Sequence, residues 1–256
     1  MIEPLSYDVR GAGPGLVLVH GTGSTGPKSW GTVLDGLAAR HTVVMPNLPG
    51  SGDSPAEASL DVVAVADRVV ETAVAAGLDT FALGGASLGA PIAITAAARH
   101  PSRVSRLVSV VGFAKARPTL RLNLELWGAM FARGDADLGK LLVAMSFAEE
   151  FLATLTDEQV GQYAALLTTD PAPGTVAQTD LGARLDVRAD LGRVAAPTLV
   201  VVATGDRCVA PVHSREIADG IPGARLVEVS GGHAARFEDP DRTLSVMLDF
   251  LRRDGQ

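Results

Sequence analysis

The sequence predicts an α/β fold, a mostly parallel sheet wrapped by helices, with a helical insertion near the middle of the chain. Apolar, β-rich runs alternate with helical patterns through most of its length. Those runs are continuously apolar rather than alternating, which marks strands covered on both faces by crossover helices. Between Phe113 and Val194 the strand rhythm stops, and it resumes at Thr198. A chain of 256 residues suits one large domain carrying an insertion, so residues 1–112 and 195–256 are expected to form the core and residues 113–194 a helical cap.

In chain order, the first strand is expected at residues 5–9 and the second at 16–20. The Gly11-Ala12-Gly13-Pro14-Gly15 stretch between them reads as the turn of an antiparallel hairpin. Helices follow at 29–39, 60–76 and 88–100, alternating with strands at 42–45, 80–84 and 104–111. The insertion carries helical patterns at 119–133, 137–147, 157–168 and 175–185. Strands at 198–203 and 225–229 then enclose a helix at 213–219, and a helix at 241–252 closes the chain.

Composition excludes several function classes. A net charge of -7, with no block of like charge, argues against nucleic acid. Although 47% of residues are hydrophobic, each apolar stretch falls well short of the ~20 residues a spanning helix needs, so no membrane association is expected. One cysteine, Cys208, rules out an internal disulfide, and Met1-Ile2-Glu3-Pro4-Leu5-Ser6 lacks the features of a signal peptide; a cytoplasmic protein is expected. The glycine-rich stretch before residue 16 precedes its strand and opens no helix, so it is no phosphate loop. No metal-ligand spacing is present, and no cofactor or metal is expected.

The most informative residues are Gly85-Ala86-Ser87-Leu88-Gly89, placed where an apolar strand becomes an apolar helix. A serine on so tight a turn is held in a strained conformation that lifts its hydroxyl clear of the sheet, and small residues two places either side let strand and helix approach. The next amide, Leu88 N–H, then points at the reaction centre with the positive end of the helix behind it, as a developing oxyanion requires. Three further segments fall at C-terminal ends of strands, where open α/β sheets bind ligands: His20-Gly21-Thr22-Gly23, Asp206 and Gly232-His233.

With these segments the chain resembles the α/β-hydrolase superfamily over essentially its whole length, in the order serine, acid, histidine. Pro46-Asn47-Leu48-Pro49-Gly50-Ser51-Gly52-Asp53-Ser54 is similar to the family's loop after the fourth strand, although many members carry Asp where this chain has Asn47; that position is read as structural. The resemblance implies that Asp206 is the triad acid and that the Thr22 amide is the second oxyanion donor. Physical chemistry assigns the roles independently. Ser87 needs a base, and histidine is the side chain whose ordinary pKa suits that work at neutral pH. Of five histidines, His20 leads the oxyanion turn and is read as structural, His41 precedes a strand, His100 ends a helix and His213 is expected on a surface helix. His233 remains, in a glycine-rich loop after the last strand. Glu238, five residues beyond it, rivals Asp206 as the orienting carboxylate, though Glu238-Asp239-Pro240 reads better as the opening of the last helix.

The helix at 119–133 carries two apolar stripes, Leu120, Leu124, Trp127 and Phe131 on one and Leu122, Leu126 and Met130 on the other. One reading makes it a lid whose second stripe lines the substrate pocket; the other makes it a buried cap helix or a homodimer contact. With no anion-binding loop in evidence, the expected partner is a small-molecule substrate with an apolar acyl group. The expected function is a serine hydrolase acting on an ester, lactone or thioester. The alternatives are a perhydrolase or haloperoxidase, a carbon–carbon bond hydrolase, a natural-product cyclase, or a ligand-binding protein on the same scaffold.

Overall fold

The computed structural model describes residues 2–252. Seven strands form one sheet: β1 (Tyr7–Arg10), β2 (Gly15–Val19), β3 (Thr42–Pro46), β4 (Phe81–Ala86), β5 (Val104–Val110), β6 (Thr198–Ala203) and β7 (Arg225–Val229). Their order is β1-β3-β2-β4-β5-β6-β7, with every pairing parallel except β1 on β3. Strands β4 and β6 are buried along their whole length, as their unbroken apolar runs require. On one face α1 (Gly26–Ala38) and α12 (Pro240–Leu251) pack Trp30, Val33, Leu37, Met247 and Phe250 against the strands. On the other, α2 (Val62–Ala75) and the alanine-rich α3 (Gly89–Arg99) bury Val65, Val69, Ile92 and Ala96. Thr25 and Asp61 cap α1 and α2 by accepting the Lys28 and Ala64 amides.

The expected hairpin between the first two strands does not form. β1 pairs antiparallel with β3, Tyr7 facing Pro46 and Arg10 facing Val43, while β2 lies on the other side of β3. The glycine-rich connection steps across the end of β3 instead of folding back. Gly11 and Gly13 have φ of 73° and 134°, and a Cβ on either would strike backbone oxygens of residues 38–41.

Between β5 and β6 the chain is helical: α4 (Pro118–Arg133), α5 (Leu138–Ser146), α6 (Glu149–Leu152), α7 (Asp157–Thr168), α8 (Thr175–Arg184) and α9 (Arg188–Leu191). The neck of this insertion is pinned where Val187 N–H donates to Ala114 O and Lys115 bridges Asp186. Beyond the neck, α9 packs against α3 and α10 (Pro211–Gly220), so it belongs with the helices covering the sheet. The short α6, α9 and α11 (Ala235–Glu238) were not expected, each being only four residues long. No described helix is long and apolar enough to cross a membrane.

Candidate active site

Ser87 sits between β4 and α3 with φ of 53°, a left-handed conformation that costs a non-glycine residue on the order of 1–3 kcal/mol. Neighbouring structure over-determines it: Ser87 N–H donates to Val110 O at 3.0 Å and Ser87 O accepts from Ala90 N–H at 3.0 Å. The flanking glycines are obligatory, because a Cβ on Gly85 would lie 2.1 Å from Gly89 O and one on Gly89 2.4 Å from Val19 O. Leu88 is the N-cap of α3, and among the described residues no acceptor takes its N–H.

Two loops at the ends of β6 and β7 bring an acid to a histidine. Thr204 N–H donates to Val229 O at 3.0 Å and Gly205 N–H to Gly231 O at 2.9 Å, tying the loops together. Asp206 Oδ1 accepts the Cys208 and Val209 amides at 2.9 and 2.8 Å, which fixes the carboxylate, and Oδ2 lies 2.8 Å from His233 Nδ1. A carboxylate accepts, so Nδ1 carries the proton and Nε2 keeps its lone pair while the ring is neutral. Glu238 does not meet the ring. Its Oε1 accepts Gly232 N–H at 3.0 Å and Ala148 N–H at 3.2 Å, fastening the histidine loop to the start of α6, and burial raises its pKa.

His20 shapes the opposite rim. Its Nδ1–H donates to Gly21 O at 2.7 Å, and Nε2 accepts Leu48 N–H at 2.9 Å. Burial pushes its pKa down to about 4, so the ring is a neutral structural element. A Cβ on Gly21 would lie 3.2 Å from Ser87 Cβ, a tight approach that favours glycine where the turn passes the serine. Among the described residues no acceptor takes Thr22 N–H, whereas Gly23 N–H donates to Gln178 Oε1 at 2.8 Å. Gln178, on α8 and fully buried, also donates to Pro49 O and Ser51 Oγ, both at 3.0 Å. An insertion helix thereby fixes the sheet-side turn. Asn47 accepts Gly26 N–H at 3.2 Å and donates to Ser6 Oγ at 3.4 Å, a structural placement.

Ser87, Thr22 and His233 line one cavity of about 590 Å³. Its insertion side is Trp127, Phe131, Leu138, Leu142, Met145 and Tyr163. The stripe expected there does not line it: Leu122 and Leu126 are 60% and 46% exposed, and Met130 is buried in the core cluster. The reason is helical geometry. Each i to i+4 step turns about 40° around the axis, so a stripe through 122, 126 and 130 winds from solvent to interior. The cavity instead takes the continuation of the other stripe, in which Leu120 and Leu124 pack into the core and Trp127 and Phe131 reach the pocket. A second cavity of about 530 Å³, between α4 and α8, is lined by none of Ser87, Asp206 and His233.

Other residues also differ from expectation. His213 is buried, not on the surface: Nδ1–H donates to Ala210 O at 2.9 Å and Nε2 accepts Arg117 N–H at 3.2 Å, which docks the start of α4. Cys208 lines the cavity, but burial and the adjacent Asp206 charge push its thiol pKa far up, away from the thiolate. Arg236, not anticipated from sequence, also lines the cavity and is only 6% exposed. Its one sequence signal is a lone cation in the small-residue run after His233. Among the described residues no group of three His, Cys, Asp or Glu side chains could hold a metal ion.

Comparison with known proteins identifies the family of the fold. The profile of the alpha/beta hydrolase fold family matches residues 14–240. The chain is 32% identical to pyrrolizixenacetamide deacetylase of Xenorhabdus hominickii, with 96% of this chain and 94% of that one covered. It is 29% identical to a putative carbamate hydrolase, RutD, of Azorhizobium caulinodans, covering 96% and 94% of the two chains. A thermophilic esterase from Thermogutta terrifontis superposes with a TM-score of 0.84 at 23% identity, covering 97% of this chain and 93% of that one.

Proposed function

Because the chain belongs to the α/β hydrolase family, we propose that it is a serine hydrolase cleaving a carboxylic ester, lactone or thioester through an acyl-enzyme. The observation that carries this reading is the 2.8 Å contact between His233 Nδ1 and Asp206, in a cavity that also holds the strained Ser87. His233 Nε2 takes the Ser87 proton as Oγ attacks the substrate carbonyl. The tetrahedral oxyanion is held by the Leu88 and Thr22 amides, and the imidazolium by Asp206. The imidazolium then protonates the leaving oxygen or sulfur, and the C–O or C–S bond breaks. Water, deprotonated by the same ring, attacks the acyl-enzyme and releases the acid with Ser87 restored.

In this reading residues 113–194 act as the cap, with Trp127 and Phe131 against the acyl chain. A second reading, cleavage of an amide or carbamate C–N bond, is favoured by the relatives named as a deacetylase and a carbamate hydrolase. The same triad serves both, since the imidazolium can protonate a leaving nitrogen. A matched pair of aryl butyrate and butyranilide distinguishes them. The ester is expected to turn over faster by orders of magnitude, and Ser87→Ala to abolish both activities. Anilide cleavage as fast as ester cleavage would favour the second reading, and turnover surviving in Ser87→Ala would overturn both.

A further inference from the structure

The cavity contains a cation that the acyl-transfer steps do not use. Arg236 lies three residues beyond His233 in α11, is 6% exposed, and stacks over Trp30 with Cζ 5.1 Å from the ring centroid. Of its five N–H bonds, one has an acceptor among the described residues: Nε–H donates to Ser29 O at 3.2 Å. Nη1 is buried without a partner, as is the nearby donor Trp30 Nε1. A guanidinium removed from water is strongly disfavoured unless its fork is matched by acceptors.

The neighbouring carboxylates are already engaged. Asp206 spends its two oxygens on Cys208 N–H, Val209 N–H and His233, and Glu238 Oε1 is taken by Gly232 N–H and Ala148 N–H. Lys28, the other basic side chain on the cavity wall, is committed to Asp170 at 3.0 Å and to the Thr169 and Asp170 carbonyls. Burial draws the Arg236 pKa down only to about 10, so it stays a cation at neutral pH. Arg236 therefore brings donors and positive charge to the cavity, with Asp206 as the carboxylate that acts on it electrostatically, while the insertion wall sets Trp127, Phe131, Leu138, Leu142 and Met145 beside the polar Asp135 and Asp170.

We propose that Arg236 is a specificity-determining residue that binds a carboxylate on the substrate, so that the preferred substrate is an amphiphilic monoanion: a hydrolysable acyl bond, an apolar portion under Trp127 and Phe131, and an acidic group at Arg236. This rests on the reading of Ser87 as nucleophile and adds an acidic group to the small-molecule substrate with an apolar acyl portion expected from sequence. A guanidinium anchored through Nε–H to Ser29 O presents its remaining N–H donors in a fixed plane, so it can make a directed, charge-assisted N–H···O bond to a carboxylate that the point charge of a lysine reproduces only in part.

The test uses two pairs of esters alike in shape: monomethyl adipate against methyl hexanoate, with the carboxylate on the acyl side, and meta-carboxyphenyl butyrate against phenyl butyrate, with it on the alcohol side. In one pair the wild-type protein is expected to favour the charged ester in kcat/KM by about tenfold or more, the scale of a charge-assisted hydrogen bond made in a buried site. Arg236→Met should reverse that preference, and Arg236→Lys should restore part of it. The ratio within a pair is the readout, since a guanidinium that only balanced the Asp206 charge would lower both esters by one factor. Such a parallel loss, or a wild-type preference for the neutral ester in both pairs, overturns the proposal. Calorimetric titration of Ser87→Ala protein with the same esters separates the two claims. If wild-type protein hydrolyses none of them, the hydrolase reading falls, and the charged ester binding no tighter in either pair then removes the subsite as well.

Discussion

The two halves of the site are built by different means. On the sheet side, backbone determines position: Ser87 is held at positive φ between obligatory glycines, Asp206 by two amides, and the His20-Gly21 turn by hydrogen bonds to both ring nitrogens. On the insertion side, side-chain packing determines it: Trp127, Phe131, Leu138, Phe147 and Tyr163 form a wall, with Phe151 packed on Phe147 and Tyr163, whose shape depends on which helix face turns inward. Substitutions on the first side should therefore change kcat, and those on the second the range of substrates. Gln178 crosses the divide, since it rises from α8 yet holds Gly23, Pro49 and Ser51.

The largest effect should come from the sheet side. Asp206→Asn is expected to lower kcat about 10⁴-fold, by releasing the histidine tautomer, with Glu238→Gln far milder in the same steady-state assay. The reverse order would make Glu238 the orienting acid. Next comes the residue that blurs the comparison. Gln178→Leu frees the Gly23 amide and should reduce kcat by roughly 10- to 100-fold with KM little changed, as expected when an oxyanion donor drifts. A change confined to KM would return Gln178 to the packing side.

A third prediction concerns stability. His20 is held neutral in the fold, with its pKa lowered from 6.5 to about 4, while the unfolded chain protonates near 6.5. Below pH 6.5 the unfolded state thus binds a proton the native state does not, and stability falls as pH drops from 6.5 to about 4, levelling off beneath that. The difference amounts to about 3 kcal/mol at about 1.4 kcal/mol per pH unit. Urea denaturation of wild type and His20→Asn at pH 7.5 and 4.5 should show a smaller pH-dependent loss in the variant; equal losses would remove His20 as the cause. The smallest effects separate the two faces of α4. Trp127→Ala and Phe131→Ala should shift the optimum acyl length across a p-nitrophenyl ester series, each methylene accommodated being worth about 0.8 kcal/mol. Leu122→Ala and Leu126→Ala, on the exposed face, should leave that profile unchanged and alter stability by no more than about 0.5 kcal/mol.

The same division explains what was legible in the sequence. Strands β2 to β7 and the long helices followed from apolar periodicity; Ser87, Leu88 and His233 were singled out by strand-end position and residue chemistry, and the roles expected of Asp206 and Thr22 came from the resemblance to the α/β-hydrolase family. The β1 pairing was not legible: a five-residue glycine-rich link fits a hairpin as well as a step over β3, and only the space beside β3 decides between them. Nor was the inward face of α4, since both stripes are apolar and burial depends on how α8 packs beside Gly128. His213, Gln178 and Arg236 are polar residues on helices, which periodicity assigns to solvent, and only tertiary contacts show them buried.

The central claim, that Ser87 is an activated nucleophile facing two free amides, is tested most directly by intact-protein and peptide mass spectrometry after treatment with a fluorophosphonate. The account predicts a single phosphonyl adduct, located on Ser87, and none on folded Ser87→Ala protein. An adduct on another residue, or undiminished labelling of the Ser87→Ala variant, would contradict it.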